Sequence, residues 1–289
     1  MKATGKFLPL FVALVAGCGL LRGERVHAPL VERPPESAWP FALPPLEEKA
    51  PREGTPLTLQ AFLLSARPAR WRRLGVDLER DYLVLDPKDF SAVSDALLRG
   101  RRASPLTAPR LVVRPGSPAR ASMVTTRIYL GDYDLGQAPG HERFNPVARK
   151  VYDGVVVDLE ARSEGSVVVV TSLQARMATG LGMRDCQSWA DLGTAMASLL
   201  WQEPVVLAAT ASLPRGAEPR LLPGYALVLP LRQALVVAKA SVRAKVEYPV
   251  EVRNERSLRF LVKAGERGYP LEEQLAIILT PALPATRPR

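Results

Sequence analysis

Histidine and cysteine are scarce in this sequence, with two of each in 289 residues, and aromatic residues make up only 6%. With His27 and His141 alone, histidine-cluster metal sites and the HExxH pattern are excluded, and His141-Glu142 by itself is not a metal motif. No metal site or cofactor is expected. The G-x-S-x-G nucleophile elbow and the G-x-x-x-x-G-K-[ST] phosphate loop are also missing. The stretch GLGMRD (Gly180 to Asp185) starts like a dinucleotide-binding turn but lacks the third glycine. Beyond the N-terminal region no run reaches the roughly 18 charge-free apolar residues of a membrane helix.

What is present is ordinary globular material, 47% apolar and 24% charged, carrying a formal charge of +10. The charge is mostly arginine, and 27 prolines accompany it, a bias that a GC-rich genome alone can produce. A basic balance favours anionic partners. The sharpest asymmetry runs from Ala96 to Gly131, where Arg99, Arg101, Arg102, Arg110, Arg114, Arg120 and Arg127 occur without an acidic residue. These seven form a candidate patch for an anionic envelope polymer, with plain solvated surface as the alternative; nucleic acid is not expected.

The N-terminus is patterned. Lys2 and Lys6 precede an apolar segment, Phe7 to Ala16, interrupted only by Pro9. In a helix ten residues rise about 15 Å, half a bilayer core, which suits a cleaved secretory signal. Val15-Ala16-Gly17-Cys18 then resembles the lipobox of bacterial lipoprotein precursors. The resemblance covers residues 1–18. It implies a diacylglyceryl group on the Cys18 thiol, cleavage by signal peptidase II between Gly17 and Cys18, and acylation of the new amino group, with fatty acids such as palmitate. Several acyl chains anchor a protein durably where one does not. Gly19 stands where an Asp would imply retention at the inner membrane, so the resemblance implies an outer-membrane lipoprotein.

From Gly19 to Glu53 there are seven prolines and no sustained periodicity. The expected organisation is a signal peptide (1–17), a lipidated N-terminus and Pro-rich tether (18–53), and a globular body (54–289). Fully extended, the tether would reach on the order of 100 Å. Alternatively, Trp39-Pro40-Phe41 and nearby apolar residues pack along the body or dock a partner.

In the body, PLTLQAFLLSA (Pro56 to Ala66) reads as a short helix ended by Pro68. Asp86-Pro87 supplies an N-cap and a first-turn proline for a helix whose Phe90, Val93 and Leu97 share one face and which Gly100 stops. Period-two patterns mark strands at Thr125 to Leu130, Gly154 to Ala161 and Ser166 to Leu173, with Ser163-Glu164-Gly165 as a hairpin turn. Alternation over Val236 to Val252 predicts a long strand, half-buried and broken or at an edge because of Pro249. Leu258 to Ala264 and Gln274 to Leu279 are further strand candidates. Ser188 to Gln202 reads as an amphipathic helix, with Trp189, Leu192, Met196, Leu199 and Leu200 on one face. The expected fold class is α+β, a largely antiparallel sheet with two or three amphipathic helices.

With Cys18 lipidated, Cys186 has no intramolecular partner and is expected to be buried. Cys186 and His141 are the one pairing that could form a Cys-His nucleophile. Asp132, Asp134 and Glu142 could in principle hold a hard cation, against the simpler reading of a solvated turn. No catalytic constellation emerges. The sequence therefore leads to the expectation of a non-catalytic structural, assembly or binding subunit of an envelope complex, with an envelope protein as partner. The alternative is a surface-tethered hydrolase or thiol enzyme using Cys186 and His141.

Overall fold

The computed structural model describes residues 30–31, 39–46, 49–50, 53–96, 104–107, 109–138, 141–191, 196–244, 246, 250–253 and 273–281. The lipobox region, Arg99, Arg101, Arg102 and the strand candidate at 258–264 lie outside these residues.

One sheet dominates, and it is antiparallel except at its first strand. Among the described residues the first elements are β1 (Leu30–Val31), β2 (Leu57–Ala66), α1 (Pro68–Arg73), β3 (Leu83–Leu85) and α2 (Pro87–Ser94). Short β4 (Ser104–Thr107) and β5 (Arg110–Val113) precede four long strands: β6 (Ala119–Ala138), β7 (His141–Glu164), β8 (Val167–Asp191) and β9 (Met196–Ser212). β10 (Arg220–Leu221), β11 (Ala226–Val237), a 3₁₀ turn (Ser241–Ala244), β12 (Glu251–Val252) and β13 (Gln274–Pro281) complete it. The order β4-β2-β13-β11-β9-β8-β7-β6 curls nearly into a barrel. β5 pairs with β2 and approaches β6 and β7, which brings the two edges together. Among the described residues no helix is long and apolar enough to cross a membrane.

Strand periodicity builds the barrel core. Leu59, Ala61 and Leu63 of β2 meet Val155, Val157 and Leu159 of β7, with Leu227, Leu229 and Ile277 from β11 and β13. The opposite face of β2 is also covered: Leu64 and Ala66 lie beneath Trp71 of α1 and Val93 of α2. Trp71 fixes α1 by donating from Nε1 to the Gln274 carbonyl at 3.0 Å.

This two-sided burial explains the first correction. Pro56 to Ala66 is not a helix: Leu57–Ala66 is a strand, and because it faces apolar neighbours on both sides it has no polar alternation to reveal it. The second correction concerns Ser188 to Gln202. There the helical spacing is coincidental, since β8 runs to Asp191 and β9 starts at Met196, pairing Trp189 with Ser198 and Asp191 with Met196. The third shortens the strand expected from Val236 to Val252. β11 ends at Val237, and the chain turns through Ser241–Ala244 before the two-residue β12.

Other expectations hold. α2 has Asp86 as N-cap, its Oδ1 accepting from the Asp89 N–H at 2.8 Å, with Pro87 in the first turn and Val93 buried. The β7–β8 hairpin turns at Gly165, whose φ of +64° suits glycine. Gln274 to Leu279 lies in β13. The fold is largely antiparallel sheet as expected, with two α-helices among the described residues, so strand outweighs helix more than an α+β label suggests.

The Pro-rich segment is docked where it is described. Trp39 stacks on Tyr152 with ring centroids 6.4 Å apart, and its Nε1 donates to the Met177 carbonyl at 3.0 Å. The Tyr152 N–H donates to the Pro40 carbonyl, and Arg120 Nη1 donates to the Pro44 carbonyl. Trp39 and Phe41 pack against Tyr129, Val151, Ala178 and Val206. Upstream, β1 pairs in parallel with Leu235 and Val236 of β11. Of the two readings of Trp39-Pro40-Phe41, packing along the body is the one observed.

The sheet also splits. Residues 227–231 of β11 pair with β13 and residues 226–228 pair with β3, whereas 232–237 pair with β9. Between the end of β9 and the start of β3, residues 229–231 have no strand neighbour on that side among the described residues.

Candidate functional site

The long strands β8 and β9 carry their hairpin beyond the barrel, and its inner face encloses a second, partly polar core. Alternation turns Arg184, Cys186, Ser188 and Ala190 of β8 inward. They meet Leu199, Trp201 and Glu203 of β9, with Arg184 opposite Glu203 and Cys186 opposite Trp201 in register. Ala240 and Val242 close this core from the 3₁₀ turn side.

Glu203 is fully buried. A buried carboxylate needs a partner or it loses its charge. Arg243 Nη2 donates to its Oε2 at 3.1 Å, Trp201 Nε1 donates to Oε1 at 3.4 Å, and Arg184 Nη1 stands 3.9 Å away. Cys186, also fully buried, has its sulfur 3.7 Å from Arg243 Nη2. Burial pushes the Cys186 thiol up, the nearby Glu203 charge adds to this, and Arg243 only partly opposes them. A thiol held protonated and out of solvent is a poor nucleophile. The expectation that Cys186 is buried is met.

Asp132 forms the other half of the arrangement. It lies at a bulge in β6, where the register to β7 shifts between Leu130 and Asp132, and the bulge turns its side chain inward. Its carboxylate accepts from the Val242 N–H at 2.8 Å, the Tyr133 N–H at 2.9 Å, the Ser241 N–H at 3.2 Å and the Ser241 hydroxyl. Arg149 Nη2 adds a bond at 3.0 Å. Burial pushes this carboxyl up, but the Ser241 hydroxyl and the backbone donors outweigh it, and the net position is below the usual carboxylate range. Asp132 is thus a clamp on the 3₁₀ turn and not part of a solvated turn. Its donors occupy it; the Glu142 side chain lies outside the described residues, and among those described no group of three or more His, Cys, Asp or Glu could hold a metal.

The outer face of the same hairpin mixes apolar side chains with Gln187, Asp191 and Ser198. Trp189, Met196 and Leu200 are each close to half-exposed and lie on neighbouring positions, since Trp189 faces Ser198 and Asp191 faces Met196. Tyr133 braces this hairpin from β6, its hydroxyl donating to the Leu200 carbonyl at 2.7 Å.

The arginine stretch is divided. Arg110 and Arg114 are exposed, while Arg120 pairs with Asp158 and Arg127 with Asp153 at 2.7 Å. His141 starts β7 opposite Ala138; its side chain lies outside the described residues. The structure gathers Cys186 with Glu203, Arg184 and Arg243, a set that sequence reading missed. One signal was available: two opposite charges, Arg184 and Glu203, placed at equal distance from a hairpin turn. Compared with family models, curated proteins and solved structures, the chain matches none.

Proposed function

We propose that this protein is a bacterial lipoprotein held at the outer membrane through Cys18, and that its body is a non-catalytic structural, assembly or binding subunit of an envelope complex. The observation that carries the proposal is the sequence Val15-Ala16-Gly17-Cys18 following a basic start and a ten-residue apolar segment.

The interior is consistent with a role in binding. Its two buried carboxylates are consumed by internal bonds: Glu203 by Arg243 and Trp201, Asp132 by the 3₁₀ turn and Arg149. The half-exposed Trp189, Met196 and Leu200 place apolar side chains among polar ones on the projecting hairpin, a mixture of the kind found at protein contacts. Exposed Arg110 and Arg114 leave room for an anionic envelope polymer, whose attachment would weaken steeply with salt.

Labelling with radioactive palmitate and separating membranes by density tests the anchor. The parent chain should be labelled and sediment with outer membranes, and Cys18→Ser should be unlabelled and remain an uncut precursor. A Cys18→Ser chain that is processed and localised like the parent removes the proposal.

A further inference from the structure

Four arginines crowd one short helix. Arg70, Arg72 and Arg73 lie in α1 and Arg67 is its N-cap, and from Gly54 to Val76 the chain carries no acidic residue. Arg67, Arg70 and Arg73 recur every third residue, which sets them along one face, and all three line a groove of about 780 Å³. We propose that this groove binds the phosphate headgroup of an anionic membrane lipid, with the guanidinium groups on the phosphate and apolar lining against the start of the acyl chains.

Local chemistry does not account for the arginines. Cations near a helix C-terminus complement its dipole, which explains Arg72 and Arg73, but Arg67 stands at the end where a cation is unfavourable. Like charges three residues apart repel, so the row of Arg67, Arg70 and Arg73 works against the helix that displays it. An anion set among them relieves that repulsion. The carboxylates at hand are too few. Glu273 lines the groove and accepts from the Ser65 hydroxyl, and Asp95 precedes the lining residue Ala96, which leaves four arginines to two acids. Asp77, beyond α1, faces Arg80 at 3.5 Å.

The groove is open and its frame is fixed. Arg67, Ala69, Arg72 and Arg73 are exposed, whereas Trp71 is fully buried and bonded to the Gln274 carbonyl, so α1 is locked on the sheet by one face and wet on the other. Arg70 is held in place by donating to the Ala96 carbonyl. The planar guanidinium matches phosphate oxygens with paired N–H groups. Ala69, Leu74 and Ala96 supply apolar lining, which a lipid uses and free phosphate does not. The chain path agrees with this placement. Gln233 donates to the Glu273 carbonyl, and Leu30 pairs two residues farther along β11, at Leu235, so the segment arriving from the N-terminus joins the sheet close to Glu273.

Calorimetric titration of the full chain carrying Cys18→Ser, which has no acyl group of its own, tests the groove with dihexanoyl phosphatidylglycerol below its micelle concentration. Dihexanoyl phosphatidylcholine, inorganic phosphate and hexaglutamate serve as contrasts. Phosphatidylglycerol should bind saturably below about 10 mM, about tenfold or more tighter than each contrast, and severalfold more weakly when salt is raised tenfold. Arg67→Gln with Arg73→Gln should weaken it about tenfold or more at an unchanged melting temperature. Ala69→Trp, which fills the groove from an exposed position, should do the same and covers the case in which the double variant does not fold. Lys150→Gln with Arg215→Gln removes equal charge from exposed positions elsewhere and should leave binding within about twofold. The proposal is overturned if phosphatidylglycerol does not bind, or if phosphatidylcholine, inorganic phosphate or hexaglutamate binds as tightly. It is equally overturned if the groove variants bind as the parent does, or if the Lys150 and Arg215 variant loses as much as they do. Cys18 is already replaced in this chain, so failure here leaves the anchor reading untouched.

Discussion

Glu203 and Arg243, 40 residues apart in sequence, share a 3.1 Å hydrogen bond and approach to 2.9 Å in the core of the projecting hairpin, where the carboxylate has no access to water. Removing one member of such a pair leaves an uncompensated buried charge. Arg243→Leu is therefore expected to lower unfolding free energy by about 3–5 kcal/mol, and Glu203→Leu by a similar amount. The double variant should lose less than the two single losses added together. Urea denaturation checks this; single losses below about 1 kcal/mol would show that Arg184 or water replaces the missing partner.

Asp132 gives the fold an acid-sensitive clamp. Its carboxyl sits lower in the folded chain than in the unfolded one, so its contribution is fully present above the unfolded value of about 3.9 and is lost as pH falls through the folded value. Asp132→Asn should cost about 1–3 kcal/mol at pH 7. The gap between variant and parent should narrow below about pH 4. Stability curves at pH 7, 5 and 3 would contradict the assignment if the gap were constant.

Gly154 marks the closest approach of two backbones. A Cβ there would lie 2.1 Å from the Met123 carbonyl oxygen, at a φ of +138° that side chains rarely adopt. Gly154→Ala should destabilise by about 2–4 kcal/mol, through strain and overlap together. Gly165→Ala, at φ +64° in open space, should cost only about 1 kcal/mol. Thermal melts of the two variants should rank them in that order, and equal shifts would argue against the overlap.

Trp39 holds the N-terminal segment through one hydrogen bond and one stacked ring. Trp39→Ala should speed proteolytic cleavage before Gly54 severalfold while leaving cleavage of the barrel slow. A cleavage pattern identical to that of the parent would mean that the downstream contacts, such as Arg120 with Pro44, suffice.

Features set by local chemistry could be read in the sequence. Asp86-Pro87 announced α2 because an N-cap and a first-turn proline act on the backbone next to them. Gly165 and its β-branched flanks announced a hairpin for the same reason. What depended on distant partners was concealed. β2 looked helical because α1 and α2 cover the face that would otherwise be polar, and Leu192, Met196 and Leu199 fell at helical spacing across a hairpin turn. Asp132 looked solvated because its donors, Ser241 and Val242, come from more than 100 residues later. The alternation over Val236 to Val252 did mark an inward face, since Val236, Ala240 and Val242 are all buried; the 3₁₀ turn changed which element carried them.

If Cys18 carries the proposed lipid, the docked N-terminal segment also sets how high the body can stand above the membrane. For a chain held at Cys18, the first paired residue among those described is Leu30, twelve residues on, where β1 joins β11. At about 3.3–3.6 Å per residue this leash measures about 40 Å at full stretch, where the whole Pro-rich segment would allow more than twice that. It would keep the barrel close to the lipid surface, and a partner would have to come to it.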